Sequence, residues 1–295
     1  MRIINNFNDY EILDMANGQK LERWNEIILS RPDPQIIWGT KSRPSLWDSA
    51  DALYKRSNTG GGEWYIYNKH MPTSWSITWE DLTFNLKLMG FKHTGLFPEQ
   101  SYNWKIIRKK IKEETKKREV KVLNLFAYTG GASLAALSSG ASVVHVDSSR
   151  GMVDWAKENV KSSGLDTKPI RYIVDDVVKF VEREIRRGNK YDMIIMDPPS
   201  FGRGSNKEIW NIETDLYNLV ELCTQVLSDD PIMFLINSYT TGLSMNVLSD
   251  ILKLTVNKKY SGFIDSDEIG IEMKDSDLVL PCGIFARWER DKYED

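Results

Sequence analysis

The sequence predicts an α/β protein: a doubly wound, mostly parallel, seven-stranded sheet with a C-terminal antiparallel hairpin, preceded by a small β-rich domain. Continuous apolar runs at 120–126, 141–146, 170–174, 191–196 and 232–236 have the length of strands buried on both faces, and helical patterns separate them. Two further runs, 269–273 and 283–288, are joined through Asp275 to Pro281 and read as a closing hairpin. Residues 1–92 have a different texture. Seven of the ten tryptophans fall by position 104, and β-like runs such as Gln35–Trp38, Glu63–Tyr67 and Trp75–Trp79 sit between turn clusters at Arg31–Pro34 and Asn58–Gly62. The expected domains are therefore 1–92 and 93–295. The tryptophans suit strand-face packing, and as flat rings they also suit stacking on unpaired bases.

Phe91 to Trp104 forms the junction, and a helix is expected from Tyr102 or Trp104 through Glu119. Its Ile106, Ile107 and Ile111 share one side, while Arg108, Lys109, Lys110, Lys112, Lys116, Lys117 and Arg118 supply either a solvated face or a contact for an RNA backbone. Val120 to Phe126 then reads as a buried strand, Thr129-Gly130-Gly131 as a tight turn, Ala132 to Leu137 as a small-residue helix, and Ala141 to Val146 as a second strand ending in Asp147. This is half of a nucleotide-binding βαβ unit. Glycine lets the backbone approach a ligand, and a carboxylate closing the second strand can accept from two ribose hydroxyls. The third glycine of G-x-G-x-x-G is missing, so a pyrophosphate is poorly served and a nucleoside without phosphates fits better.

Further along, Met152–Ser162 and Val177–Arg187 read as helices, with the strand Ile170–Val174 and Asp175-Asp176 between them. The strand Tyr191–Met196 stops at Asp197-Pro198-Pro199-Ser200-Phe201, where two prolines forbid its continuation and stiffen the turn. A helix at Leu216–Leu227, the strand Ile232–Ile236, the loop Asn237–Gly242 and a helix to about Val256 complete the alternation. In open α/β sheets ligands sit beyond the carboxyl ends of the strands. Thr129–Gly131, Asp147, Asp175-Asp176 and Asp197–Phe201 each follow such an end; a single acid there is commonplace as a helix cap, but four clusters at successive ends mark a site. Asp147 is the expected ribose acceptor and Asp176 the expected partner of an adenine amine, with Asp175 equally suited to helix capping.

With 295 residues, 41% of them hydrophobic, the chain can fill one large or two moderate cores. A net charge of −3 provides no global field for nucleic acid, so such contact needs a local patch. Two cysteines, Cys223 and Cys282, make no disulfide framework, and three scattered histidines make no metal site. The N-terminus lacks an apolar signal core and no run approaches a bilayer span, so the expected setting is the cytoplasm, with no membrane partner. The sequence leaves the oligomeric state open, a homodimer included.

The strand, glycine turn and following acidic residue resemble the class I S-adenosylmethionine-dependent methyltransferases, although many members have Asp where this chain has Asn124. The resemblance implies a Rossmann-like fold and S-adenosylmethionine as cofactor, held by Asn124, Phe126, Thr129, Gly130, Gly131, Asp147, Ser148, Asp175 and Asp176. Thr94–Gln100, the L-F-A-Y-T-G-G turn, Asp175-Asp176-Val177 and D-P-P-S-F, in this order, are similar to the bacterial 23S ribosomal RNA cytosine-C5 methyltransferases over roughly residues 90 to 290. That similarity implies that Phe97 and Gln100 help enclose the cofactor and that the substrate is RNA, particularly ribosomal RNA. The extra PUA domain of longer members is not expected. D-P-P-aromatic turns of amino-methyltransferases accept hydrogen bonds from the target amine, which assigns catalysis to Asp197, Pro198 and Phe201, with Ser200 interposed before the aromatic. Cytosine C5 chemistry requires a cysteine thiolate adding at C6. In that family the cysteine follows the strand ending here at Asn237, where this chain has Ser238-Tyr239-Thr240-Thr241. A nitrogen or oxygen acceptor is therefore expected. A small-molecule or protein substrate is the second expectation and a non-catalytic RNA-binding relative the third.

Overall fold

The apolar runs form the centre of the computed structural model, in which residues 1–4, 7–57, 61–203 and 209–292 are described. These residues divide into two compact units, one of 2–101 with 270–282 and the other of 102–269 with 283–295. Of the turn expected at Asn58–Gly62, residues 58–60 lie outside the described residues.

The first unit holds β1 (Arg2–Ile4), β2 (Tyr10–Ala16), β3 (Gln19–Trp24), β4 (Ile27–Pro32), β5 (Ala52–Arg56), β6 (Gly62–Ile66), β7 (Trp75–Trp79) and β8 (Leu82–Leu86). Strands β2 to β6 form a five-stranded sheet in sequence order, and β7 and β8 a separate antiparallel pair. Gln35–Trp38 is not a strand: the turn after Pro32 and Pro34 carries it away, and the Trp38 indole donates to the Met15 carbonyl at 2.7 Å. Trp24 and Trp79 are buried, and the indole N–H groups of Trp47 and Trp64 donate to Asp14 and to the Met89 carbonyl. These rings are building material of the unit. Inside it, Arg31 makes a two-pronged bond to Glu22 (2.6 and 2.8 Å), which Tyr10 also meets, and the cation beside Glu22 holds its carboxyl at about 2 against the raising effect of burial.

The second unit contains α1 (Ser101–Glu114, all but its first residue), β9 (Lys121–Leu125), α2 (Gly131–Ser138), β10 (Ser142–Asp147), α3 (Arg150–Ser162), β11 (Ile170–Val174), α4 (Val177–Arg187) and β12 (Met193–Met196). There follow β13 (Phe201–Arg203), β14 (Ile209–Asn211), α5 (Ile212–Cys223), β15 (Met233–Ser238), α6 (Met245–Leu254), α7 (Val256–Lys259), and β16 (Phe263–Glu272) and β17 (Val279–Glu289), whose adjoining ends 270–272 and 279–282 belong to the first unit. The main sheet runs β1-β16-β17-β15-β12-β9-β10-β11, which is eight strands, the short β1 being added to the seven expected. Strands β15, β12, β9, β10 and β11 are mutually parallel, and β17 runs antiparallel to β15. The order reverses between β9 and β12, the position at which doubly wound sheets open a ligand crevice.

Three boundaries differ from expectation for local reasons. Helix α1 stops at Glu114 rather than Glu119, and the chain beyond it turns so that Arg118 reaches Glu114 and Asp192. Helix α5 starts at Ile212, four residues before Leu216, because the Asn211 side chain caps it by accepting from the Glu213 amide. Strand β16 begins at Phe263 rather than Ile269; its first half, FIDSDE, carries three acids and reads as loop.

Candidate active site

The turn after β9 is built around three left-handed residues. Phe126 (φ 53°), Tyr128 (φ 50°) and Gly130 (φ 93°) all have positive φ, and only the last is a glycine. Non-glycine residues pay steric strain in this region, so the surroundings must hold them. Strand β10 does so: the Ala127 amide donates to the Val146 carbonyl (3.0 Å), and the Tyr128 amide donates to Asp147 Oδ2 (2.9 Å). From the other side, Asn159 of α3 donates to the carbonyl of buried Thr129.

Asp147 accepts a second amide, from Ser149, on Oδ1 at 2.8 Å, and its own carbonyl accepts the Asp175 amide at 3.1 Å. Burial raises its carboxyl above the ordinary range, and the two amides pull it part-way back. Each oxygen thus has one backbone donor and a remaining lone pair, a pattern that suits two ribose hydroxyls and opposes a phosphate. Asp175 and Asp176 take roles other than those expected. Asp176 caps α4 by accepting from Lys179, whereas Asp175 accepts the Asp176 amide and pairs with Arg183. Ser148 lies exposed beyond Asp147, and Ser149 is the cap of α3.

Asn124 is buried and donates to Ser133 Oγ (2.9 Å), which lies 2.9 Å from His145 Nδ1. Ser133 Oγ thus stands between Asn124 and His145 Nδ1, and the His145 ring also meets the Tyr128 backbone. Asn124 and His145 are therefore supports beneath the turn. Gly131 opens α2 for a packing reason: a Cβ there would lie 2.6 Å from the Trp104 ring.

The second half of the site follows β12. Asp197 is half-buried, Pro198 buried, and Pro199 and Ser200 exposed. The Pro199 carbonyl accepts from the Trp210 indole (2.7 Å), and Ser200 bonds Thr240 beyond β15 (2.7 Å). Strands β13 and β14 pair antiparallel, which sets the Trp210 ring 5.0 Å from that of Phe126. Phe201, the aromatic singled out by sequence, is 56% exposed on this hairpin, and Trp210 is the ring that meets the turn. At the end of β15, Asn237 Oδ1 accepts from Asn103 at 3.0 Å. Trp210 and Asn103 were missed because neither belongs to a motif at a strand end. Phe97 and Gln100 lie in the other unit, flanking a 3-10 turn whose Gln100 amide donates to the Phe97 carbonyl, with the Phe97 ring 5.2 Å from His93.

Along the carboxyl edge of the sheet, contacts link Asp175 to Asp147 and Asp147 to Tyr128, while Phe126, two residues earlier in the same turn, meets Trp210, which bonds Pro199, and Ser200 bonds Thr240. The family described as S-adenosylmethionine-dependent methyltransferase matches residues 53–244. This chain belongs to it. A solved S-adenosylmethionine-dependent methyltransferase from Agrobacterium tumefaciens is 33% identical, with 98% of this chain and 93% of that one covered and a TM-score of 0.92. Ribosomal RNA large subunit methyltransferase K of Neisseria meningitidis serogroup B is 30% identical over 202 residues, 68% of this chain and 54% of that one. Ribosomal RNA large subunit methyltransferase K/L of Pseudoalteromonas atlantica is 37% identical over 134 residues, 45% of this chain and 18% of its own length. The chain thus spans about half of the first of these curated relatives and less of the second.

Cys223 is buried in α5, and Cys282 donates to the Leu280 carbonyl; burial pushes both thiols up, away from thiolate. Among the described residues no group of three or more His, Cys, Asp or Glu could hold a metal ion, and no helix is long and apolar enough to cross a membrane.

Proposed function

We propose that this methyltransferase transfers the methyl group of S-adenosylmethionine to RNA, with large-subunit ribosomal RNA the first substrate to test, at a nitrogen or oxygen acceptor. The observation that carries the reading is the division of the sheet's carboxyl edge into a half-buried carboxylate with two spare lone pairs at Asp147 and a proline-stiffened acceptor turn at Asp197–Ser200 tied to Trp210 and Thr240. The curated relatives, named as ribosomal RNA methyltransferases, supply the RNA.

The cofactor supplies a methyl group already activated on a sulfonium. Asp147 would take the ribose, and Phe126 to Gly131 with Asp175 and Asp176 would wall the nucleoside, joined by Ser148. Asp197 and the carbonyls beside Pro198 would accept from the target amine or hydroxyl and orient its lone pair. Phe201 and Trp210 would bound the flat acceptor. The acceptor would form one bond to the methyl carbon as the carbon–sulfur bond breaks and its electron pair leaves on the sulfur of S-adenosylhomocysteine, and the acceptor would lose one proton to water. Orientation of this kind accounts for about 7–11 kcal/mol of barrier lowering in well-aligned systems. On this reading the sequence resemblance to cytosine-C5 enzymes would extend to the scaffold alone, because Ser238-Tyr239-Thr240-Thr241 puts no cysteine thiolate after β15. In this reading residues 1–92 form a separate β-rich domain, 93–295 the methyltransferase domain, and the protein works in the cytoplasm.

The test is transfer of labelled methyl from S-adenosylmethionine into RNA from cells lacking the gene, with protein and metabolite fractions alongside. Label in ribosomal RNA, located by nucleoside analysis at nitrogen or oxygen, is the expected result. Label only in protein or metabolites would overturn the RNA substrate, and 5-methylcytosine would overturn the acceptor.

A further inference from the structure

Helix α1 sorts its basic residues into two sets. Lys110 pairs with Glu289 at 2.8 Å, Arg108 is buried, and Arg118, just past the helix, joins Glu114 and Asp192. Lys105, Lys109 and Lys112 are instead exposed at spacings of four and three, one stripe of the helix, and exposed Lys116 follows in the turn that continues it. The acids adjoining this stripe along the chain are Glu113 and Glu119, both exposed; Glu114 faces inward to Arg118 and Arg290. In a chain of net charge −3, four lysines on one face are a local reversal of sign.

The position of the stripe gives it a direction. Asn103, half a turn before Lys105, bonds Asn237 at the end of β15, where the acceptor half of the site lies. From Asn103 the stripe runs to Lys112 over about 14 Å of helix at 1.5 Å per residue. Lys105, on the outward side of the first turn of α1, is the lysine of the stripe nearest to this end of the sheet.

Resting on the RNA reading above, we infer that Lys105, Lys109, Lys112 and Lys116 are the track along which the phosphates of the substrate RNA strand lie as they leave the acceptor pocket. Lysine serves here as a point charge, so the track carries affinity and direction but no base sequence.

The experiment compares the wild-type protein with K105Q/K109Q/K112Q/K116Q and with a control, K161Q/K168Q/K190Q/K253Q, which removes four exposed lysines elsewhere in the same unit. The affinity of each for deproteinised large-subunit ribosomal RNA is measured between 50 and 200 mM KCl, and S-adenosylmethionine binding is measured in parallel. Four lost contacts at about 0.7 each should lower the slope of log affinity against log salt by roughly 3 and the affinity at 100 mM by more than tenfold. S-adenosylmethionine binding should stay unchanged, and the control should keep the wild-type slope. Wild-type RNA affinity in the track variant, or equal losses in track and control, would overturn the track while leaving the RNA reading intact. A wild-type protein that binds no RNA would overturn both. Loss of S-adenosylmethionine binding in the track variant would show that the stripe supports the fold and would also overturn the track.

Discussion

The Trp104 ring occupies the space that a Cβ on Gly131 would need, 2.6 Å from where that atom would lie. The second glycine of the turn is thus demanded by the packing of α1, and it ties the first helix of the unit to the turn after β9. Gly131→Ala should force the indole or the turn aside, costing about 1–3 kcal/mol by overpacking and weakening S-adenosylmethionine binding with it. Denaturant midpoints and cofactor titration check this. Adding Trp104→Leu should restore much of the binding; a double variant no better than the single one would show that the glycine serves something else.

Asp147 and Asp197 stand at the ends of β10 and β12, and the proposed function divides binding from turnover between them. Asp147→Ala removes an acceptor held by two amides and should weaken S-adenosylmethionine at least tenfold, since hydrogen bonds to a charged group are each worth about 1.5–3 kcal/mol. Asp197→Ala should leave that affinity within about twofold and lower kcat by 100-fold or more, in the range typical of lost transition-state positioning. Calorimetry on both variants with turnover on RNA separates the two roles, and equal loss of cofactor binding in both would refute the division.

Much of this could be read from the sequence because buried parallel strands advertise themselves as apolar runs and the polar clusters follow them directly: β9 to β12 and β15 came from the runs, and Asp147 and Asp197 from their ends. The missed parts lack that signal. Strands β13 and β14 have three residues each, too few to show a period, and they carry Trp210 to Phe126. Asp175 and Asp176 are adjacent in sequence, and only the start of α4 decides which one caps it. Asn103 meets Asn237 across 134 positions, a contact that no local pattern records.

Trp210 spans the two halves of the site, with its ring against Phe126 and its N–H on the Pro199 carbonyl. Trp210→Phe keeps the ring contact and loses the hydrogen bond; Trp210→Ala loses both. If the hairpin bounds the acceptor, KM for RNA should rise in the order wild type, Phe, Ala, by about fivefold to tenfold per step, from a lost hydrogen bond and then a lost aromatic contact of about 1 kcal/mol each. Cofactor affinity should change less than KM for RNA. A larger effect on S-adenosylmethionine than on RNA would assign Trp210 to the cofactor.

His145 sets an acid limit on the fold. Desolvation lowers its pKa to about 4, and the groups shown against it, Ser133, the Tyr172 ring and the Tyr128 backbone, are neutral. The unfolded chain, with an ordinary histidine near 6.5, binds the proton first as pH falls, so stability is complete above about 6.5 and declines between 6.5 and 4. The full loss is on the order of 3 kcal/mol, at 1.36 kcal/mol per pH unit. Half-buried His93, also lowered to about 4 by desolvation, adds a decline of the same sign, so the useful quantity is the difference between wild type and His145→Gln, in which the His93 contribution cancels. Denaturant unfolding at pH 7.5, 6, 5 and 4 should show wild type losing more stability than the variant through that window. Parallel curves would mean that His145 takes up its proton without disturbing Ser133 and the turn above it.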